Sequence, residues 1–259
     1  MRRSKWQQWV VGLGVVAVAC LAFRSALAAE IKVLSGGAVK AAVTELAEAF
    51  SRDTGHTVTF TFATTGAAMQ KLAAGERTDV MILTEEAIES LVGKGMVVPG
   101  TRTDVARVGI GVAVREGAAR PDISNPEAFK QALLAARSVA YMDPARGGTS
   151  GIHFVKVLEQ LGIAAEVRPK LVLVASGYAA ETIVRGEAEI VIHQISEILP
   201  VKGVTLIGPL PRELQKITIY SAGLAAAAAF PEAARAFIAF LARPSAKDTF
   251  AAVGMDYRE

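Results

Sequence analysis

From Glu30 onward the chain alternates short apolar runs with amphipathic helical patterns, and that alternation limits what it can fold into more than any other feature. Residues 31–34 read as a buried strand and Ser35-Gly36-Gly37 as a turn. Val39, Val43, Leu46 and Phe50 then fall on one face of a helix. Residues 57–62 are β-branched and aromatic, as a second strand requires. Ala63-Thr64-Thr65-Gly66 opens a short helix through Met69 and Leu72, which Gly75 stops. Residues 80–83 make a third strand, and residues 85–92 a third helix closed by Gly93 and Gly95. Strands alternating with helices at this spacing predict βαβ units, a mostly parallel sheet, and ligand binding beyond the carboxyl ends of the strands.

The second half repeats the theme. Residues 107–114 read as one longer β run. Beyond Pro121 and Pro126 come a helix over 127–136, a strand over 138–142, and the loop Asp143-Pro144-Ala145-Arg146-Gly147-Gly148-Thr149-Ser150-Gly151 leading into a helix over 151–161. Residues 171–175 are a strand, Ser176-Gly177-Tyr178 another junction, and residues 179–185 a helix stopped at Gly186. The strand at 190–193 carries His193, followed by Gln194, at its carboxyl end; residues 204–207 and 217–220 are the last strands. Pro231 and Pro244 suit the first turns of two final helices. The pattern predicts two α/β lobes, residues 29–112 plus 217–259 and residues 113–216, with a ligand cleft between them.

The first 28 residues read as a signal peptide rather than as part of the fold. Arg2, Arg3 and Lys5 precede an apolar run too short to span a bilayer, and Ser25-Ala26-Leu27-Ala28 supplies a cleavage site after Ala28. The single cysteine, Cys20, lies in this segment, so the mature chain is expected to have no disulfide, thiol nucleophile or cysteine-based metal site. The leader also holds four of the 28 basic residues and none of the 25 acidic ones, which turns a net charge of +3 into −1 after cleavage. With that change the electrostatic argument for nucleic acid lapses.

Four junctions rich in Gly, Ser and Thr join a strand to a helix N-terminus: residues 35–38, 64–66, 148–151 and 176–178. Unpaired backbone N–H groups and the helix dipole suit each to an anion. One such junction alone is explained as an ordinary capped loop; four, two per lobe, converge on one cleft. Catalytic motifs are sparse. A nucleophile elbow around Ser150 would need Gly where Ile152 stands, and there is no H-E-x-x-H and no Walker lysine. A triad of Ser150, His193 and a carboxylate has no spacing in its favour.

Several blocks together carry a family resemblance. They are the strand–turn–helix over 33–50, Phe62-Ala63-Thr64-Thr65-Gly66, and Ala74-Gly75-Glu76-Arg77-Thr78-Asp79-Val80, followed by Asp143-Pro144-Ala145 and Gly186-Glu187-Ala188-Glu189 leading into 190–194. In order and spacing the chain resembles the molybdate-binding periplasmic proteins, solute-binding components of ABC transporters with the type II periplasmic binding fold. The resemblance implies an exported, monomeric capture protein that takes a small oxyanion, molybdate or tungstate, between its lobes and delivers it to an inner-membrane permease. It implies no cofactor, no nucleic acid and no catalysis. The family's first binding serine falls at Ala38, which lacks the hydroxyl, and its second at Thr64 or Thr65. Backbone donors fall near Ser150 and Tyr178, and the family's tyrosine falls at His193. The expected ligand-binding set is Gly36, Gly37, Ala38, Thr64, Thr65, Gly66, Arg146, Gly148, Thr149, Ser150, Gly151, Tyr178, His193 and Gln194. Arg146 and His193 depart from a neutral oxyanion cage, since arginine grips carboxylates bidentately and histidine can donate or titrate. They make a small organic di- or tricarboxylate the competing ligand, and a secreted α/β hydrolase the third possibility.

Overall fold

The computed structural model describes residues 28–257, so the signal-peptide expectation lies outside the described residues. The first lobe opens with β1 (Glu30–Gly36), a 3-10 turn (Gly37–Val39) and α1 (Lys40–Thr54). Ala42, Val43, Leu46, Ala47 and Phe50 of α1 are buried, and the helix ends at Gly55, whose φ of 76° is left-handed. Next come β2 (Thr57–Ala63), α2 (Thr65–Ala73), β3 (Val80–Thr84) and α3 (Glu85–Gly93). The Thr64 and Thr84 hydroxyls accept from Ala67 N and Ala87 N at the starts of α2 and α3, as N-caps do.

The chain then runs through β4 (Thr103–Val108) and β5 (Ile110–Arg115). The second lobe continues with α4 (Pro126–Ala135), β6 (Val139–Met142), α5 (Thr149–Gln160), α6 (Ala164–Val167), β7 (Leu171–Val174), α7 (Glu181–Arg185), β8 (Ile190–Gln194), α8 (Ile195–Ile198) and β9 (Val204–Pro209). The return to the first lobe is β10 (Thr218–Leu224), α9 (Pro231–Leu241), α10 (Lys247–Ala252) and the two-residue β11 (Asp256–Tyr257).

Two sheets result, one ordered β11-β4-β10-β3-β1-β2 and the other β7-β6-β8-β5-β9. Both are mixed rather than mostly parallel. β1 runs parallel to β2 and β3, and β6 parallel to β7 and β8, as helical crossovers dictate. The strands that carry the chain between lobes arrive without such crossovers and pair antiparallel: β10 with β3 and β4, β5 with β8 and β9. The single β run read over 107–114 is two strands. Gly109 separates β4 in one sheet from β5 in the other, so the expected boundary at 112 falls inside β5. Gln215 ties the outgoing and returning segments together: its Oε1 accepts from Ile110 N and its Nε2 donates to Ile110 O, both at 2.8 Å.

Each lobe has its own core. In the first, Phe50 of α1 meets Phe237 and Phe240 of α9 edge-on at 5.2 and 5.3 Å, which fastens the C-terminal segment to the lobe's opening unit. In the second, Phe129, Tyr141 and Phe154 fill the space beneath α4 and α5. Phe237→Ala is expected to cost about 3–5 kcal/mol in urea unfolding, with the loss of hydrogen-exchange protection concentrated in α1 and α9.

Candidate functional site

The carboxyl ends of β1, β2, β6, β7 and β8 face one another across the two lobes, and the loops that follow them enclose a cavity of about 360 Å³. Gly36, Gly37, Ala38, Thr64, Thr65, Gly148, Thr149, Ser150, Tyr178, His193 and Gln194 all line it, so most of the expected set is brought to one place. The starts of α2 and α5 open onto it, as does the 3-10 turn before α1. The fourth junction leads only into the five-residue α7, whose dipole is correspondingly small.

Three residues of the expected set lie outside the lining. Gly66 donates its N–H to the Gly147 carbonyl at 3.3 Å, and the two backbones are so close that a Cβ on Gly147 would sit 2.4 Å from Gly66 Cα. Arg146 is exposed, and its carbonyl takes the Thr64 hydroxyl proton, so it serves the contact between lobes rather than the cavity. Gly151 is a packing residue: a Cβ there would meet Met142 O at 1.8 Å, and its absence lets α5 start against the end of β6. His153 binds the Leu214 carbonyl at 2.7 Å, a structural role. His56 is half-buried, and its Nδ1 accepts from Ala29 N at 3.1 Å.

Sequence reasoning missed Lys40, Glu181, Glu197 and Tyr220, all of which line the cavity. Glu197 was findable in principle, since it follows His193 by four residues just past the end of β8. Both side chains are buried. His193 Nδ1 lies 3.2 Å from Ser150 Oγ and 3.5 Å from Glu197 Oε2, while Nε2 has no hydrogen-bond partner among the described residues. A hydrolytic triad needs the serine on one ring nitrogen and the carboxylate on the other; here both crowd Nδ1.

Nor is the histidine–glutamate contact an ion pair. Burial pushes the His193 imidazole down to about 3, against a smaller opposing pull from the Gly177 backbone, and pushes the Glu197 carboxyl up to about 8. Near neutral pH both are uncharged. Burial also pushes the Tyr178 phenol up to about 12, with the Glu197 charge adding to the shift, and raises Tyr220 further still. Both phenols are therefore held protonated as hydrogen-bond donors. Among the described residues no group of three or more His, Cys, Asp or Glu side chains could hold a metal ion.

Comparison with known proteins agrees with this architecture. The family described as bacterial extracellular solute-binding protein matches residues 31–256. An aconitate isomerase of a Pseudomonas species is 34% identical over 222 residues, covering 83% of each chain. The molybdate-binding protein ModA of Azotobacter vinelandii is 28% identical over 193 residues, 73% of this chain and 72% of that one. The solved periplasmic molybdate-binding protein of Azotobacter vinelandii superposes with a TM-score of 0.75 at 21% identity, covering 88% of this chain and all of its own. The first of these relatives overturns the expectation that the chain is not an enzyme, because a protein this similar over this length is named for a catalysed reaction.

The buried pair makes stability pH-dependent in two opposite ways. Glu197 keeps its proton to about pH 8 when folded but loses it near the ordinary 4.5 when unfolded. The folded state thus holds the extra proton between those values, and stability falls as pH rises through them. His193 is neutral down to about pH 3 when folded, against an ordinary 6.5, so its contribution to stability rises with pH over that lower range. Above pH 6.5 only the glutamate acts. The melting temperature is expected to fall from pH 6.5 to 8, and Glu197→Gln to flatten that fall; an equal slope in the variant would contradict the buried, protonated carboxyl.

Proposed function

The chain belongs to the family of bacterial extracellular solute-binding proteins, and within it we propose an isomerase that interconverts the cis and trans forms of a small unsaturated tricarboxylate of the aconitate class. The observation that supports this most is Glu197, a proton acceptor of raised affinity buried beside the cavity. A tetrahedral oxyanion has no use for a proton acceptor. A substrate that must lose and regain a proton on carbon needs it. At about 360 Å³ the cavity lies at the lower end of the roughly 300–1,000 Å³ typical of small-molecule sites, ample for a six-carbon acid.

Aconitate is propene-1,2,3-tricarboxylate, with a CH₂ on one side of the central carbon and a double bond on the other. The Glu197 carboxylate takes one CH₂ proton. The electron pair of that C–H bond spreads over three carbons and onto the attached carboxylates. The protonated Glu197 then returns its proton to the former vinyl carbon, and the double bond closes on the other side. Composition is unchanged and no water, oxidant or cofactor takes part; only the geometry about the double bond differs. The Thr65 N–H at the start of α2, the backbone N–H groups at the start of α5 and the Tyr178 and Tyr220 phenols meet the charge that develops on the carboxylates. Neutral His193, held by Ser150, borders Glu197 without quenching its basicity.

Export to the periplasm through the leader belongs to the same proposal. Molybdate and tungstate, implied by the sequence resemblance, become competitors to be excluded by assay. Purified mature protein is expected to interconvert cis- and trans-aconitate. kcat/KM should fall about tenfold per pH unit below about 8, where free Glu197 loses its ionised form. Glu197→Gln should lower turnover by about 10²–10⁴. A pH-independent profile between 5 and 9 would move the base to His193. Tricarboxylate binding without turnover would leave a capture protein for an importer and end the isomerase proposal. A thermal shift with molybdate but none with aconitate would end the tricarboxylate assignment as well.

A further inference from the structure

Among the described residues Lys40 is the one cationic side chain lining the cavity, and it takes no part in the proton transfer described above. It begins α1, where the helix dipole opposes a positive charge, so its place there works against local helix stability. No carboxylate lies within ion-pair distance of it among the described residues. Its Nζ sits instead over two aromatic faces, Phe62 at 5.4 Å and Tyr178 at 5.6 Å. Phe62 belongs to β2 of the first lobe and Tyr178 to the loop after β7 of the second. An ammonium resting on ring faces is held in position while its charge stays unneutralised, which suits it to receive an anion. The other charged groups of the lining do not fill that role. Glu197 is neutral near pH 7, and Glu181 is 3.6 Å from Arg185.

Resting on the tricarboxylate reading, we infer that Lys40 is a specificity-determining residue: its ammonium, spanning the two lobes, pairs with the carboxylate on the substrate's central carbon, the one not attached to a carbon that exchanges the proton, and so selects a tricarboxylate over a dicarboxylate or a compact oxyanion. The carboxylates nearer the proton-transfer site are left to the neutral donors of the helix starts and phenols. A dicarboxylate lacking the central group leaves Lys40 on its rings and gains nothing from it. Because Phe62 and Tyr178 come from different lobes, the pairing also ties ligand recognition to the closed arrangement.

The test compares mature wild-type protein with Lys40→Gln and Lys40→Arg, titrating the unreactive saturated analogue propane-1,2,3-tricarboxylate and its two-carboxylate counterpart pentanedioate by calorimetry. In the wild type the tricarboxylate should bind the more tightly. Lys40→Gln should weaken it about 10- to 100-fold, the range for a lost charge-assisted hydrogen bond, and weaken pentanedioate far less. Lys40→Arg should restore most of the discrimination. KM for aconitate should rise in Lys40→Gln by a similar factor, with a smaller change in kcat. An unchanged ratio of the two affinities in Lys40→Gln overturns the inference while leaving the isomerase proposal standing. Failure of the wild type to bind either acid overturns both. Lys40 is exposed, so folding of the variants is expected to be unaffected, and circular dichroism checks it. The wild-type preference should also shrink as salt is raised, and a salt-independent preference counts against the ion pair.

Discussion

Two glycine backbones hold the cleft closed, and the chemistry of the site follows from that contact. Gly66 at the start of α2 and Gly147 before α5 approach so nearly that neither tolerates a Cβ, and the Gly66 N–H bonds across to the Gly147 carbonyl. The Thr64 hydroxyl reinforces the bridge at the Arg146 carbonyl. With the lobes so joined, the ends of the strands are shut away from water. Burial is the largest cause of the shifts at His193 and Glu197, and Gly37 of the first lobe is among the groups that cover Glu197. Exposed to water, the Glu197 carboxyl would return toward its ordinary value, charged and weakly basic.

The two-lobe organisation was legible in sequence because it rests on periodicity. Alternating 2-residue and 3.6-residue patterns locate nearly every strand and helix of both lobes. The misjudged places are those where pairing partners decide the outcome. Residues 107–114 look like one strand, and only the competition between two sheets reveals Gly109 as the crossing point. The antiparallel strands β5 and β10 have the same apolar composition as their parallel neighbours, so composition could not show the sheets to be mixed. β11 is two residues long and has no periodicity to read.

The candidate site was legible on its backbone side and not on its side-chain side. Gly36, Gly37, Thr65, Gly148 and Thr149 announce themselves, because loops that present N–H groups to a ligand favour small residues. Lys40, Glu197 and Tyr220 sit within a helix start, a four-residue helix and a strand, where charged or aromatic residues are unremarkable. What brings them together is long-range. Gly37 lacks a side chain where Glu197 Oε1 would lie 2.6 Å from a Cβ, and Gly36 gives way in the same manner to the Tyr220 ring at 2.9 Å. In sequence those glycines read as donors to an anion, yet each also leaves room for a side chain that arrives from far along the chain. The same ambiguity explains Gly66 and Gly151, whose smallness serves backbone packing.

A solute-binding fold needs few changes to support a proton shift. The proposed reaction adds no second substrate, so an enclosure suited to capture would also suit catalysis. The helix starts around the cavity present neutral dipoles, which is the kind of group that stabilises charge migrating from a breaking C–H bond onto a carboxylate. What remains is one group whose proton affinity is matched to the task, placed on the reacting carbon's side of the cavity. At the end of β8 this chain has His193 where the resemblance would put tyrosine, and Glu197 four residues on. The imidazole, neutral and fixed by Ser150, lets the carboxyl be buried without a compensating cation. Had a lysine or arginine stood at 193, Glu197 would be an ion-paired carboxylate of low basicity, fit to hold a structure together but poor at removing a proton from carbon. By that argument a neutral residue at 193, as tyrosine would also be, is a condition for Glu197 to stay basic rather than ion-paired, which the proposed proton shift requires.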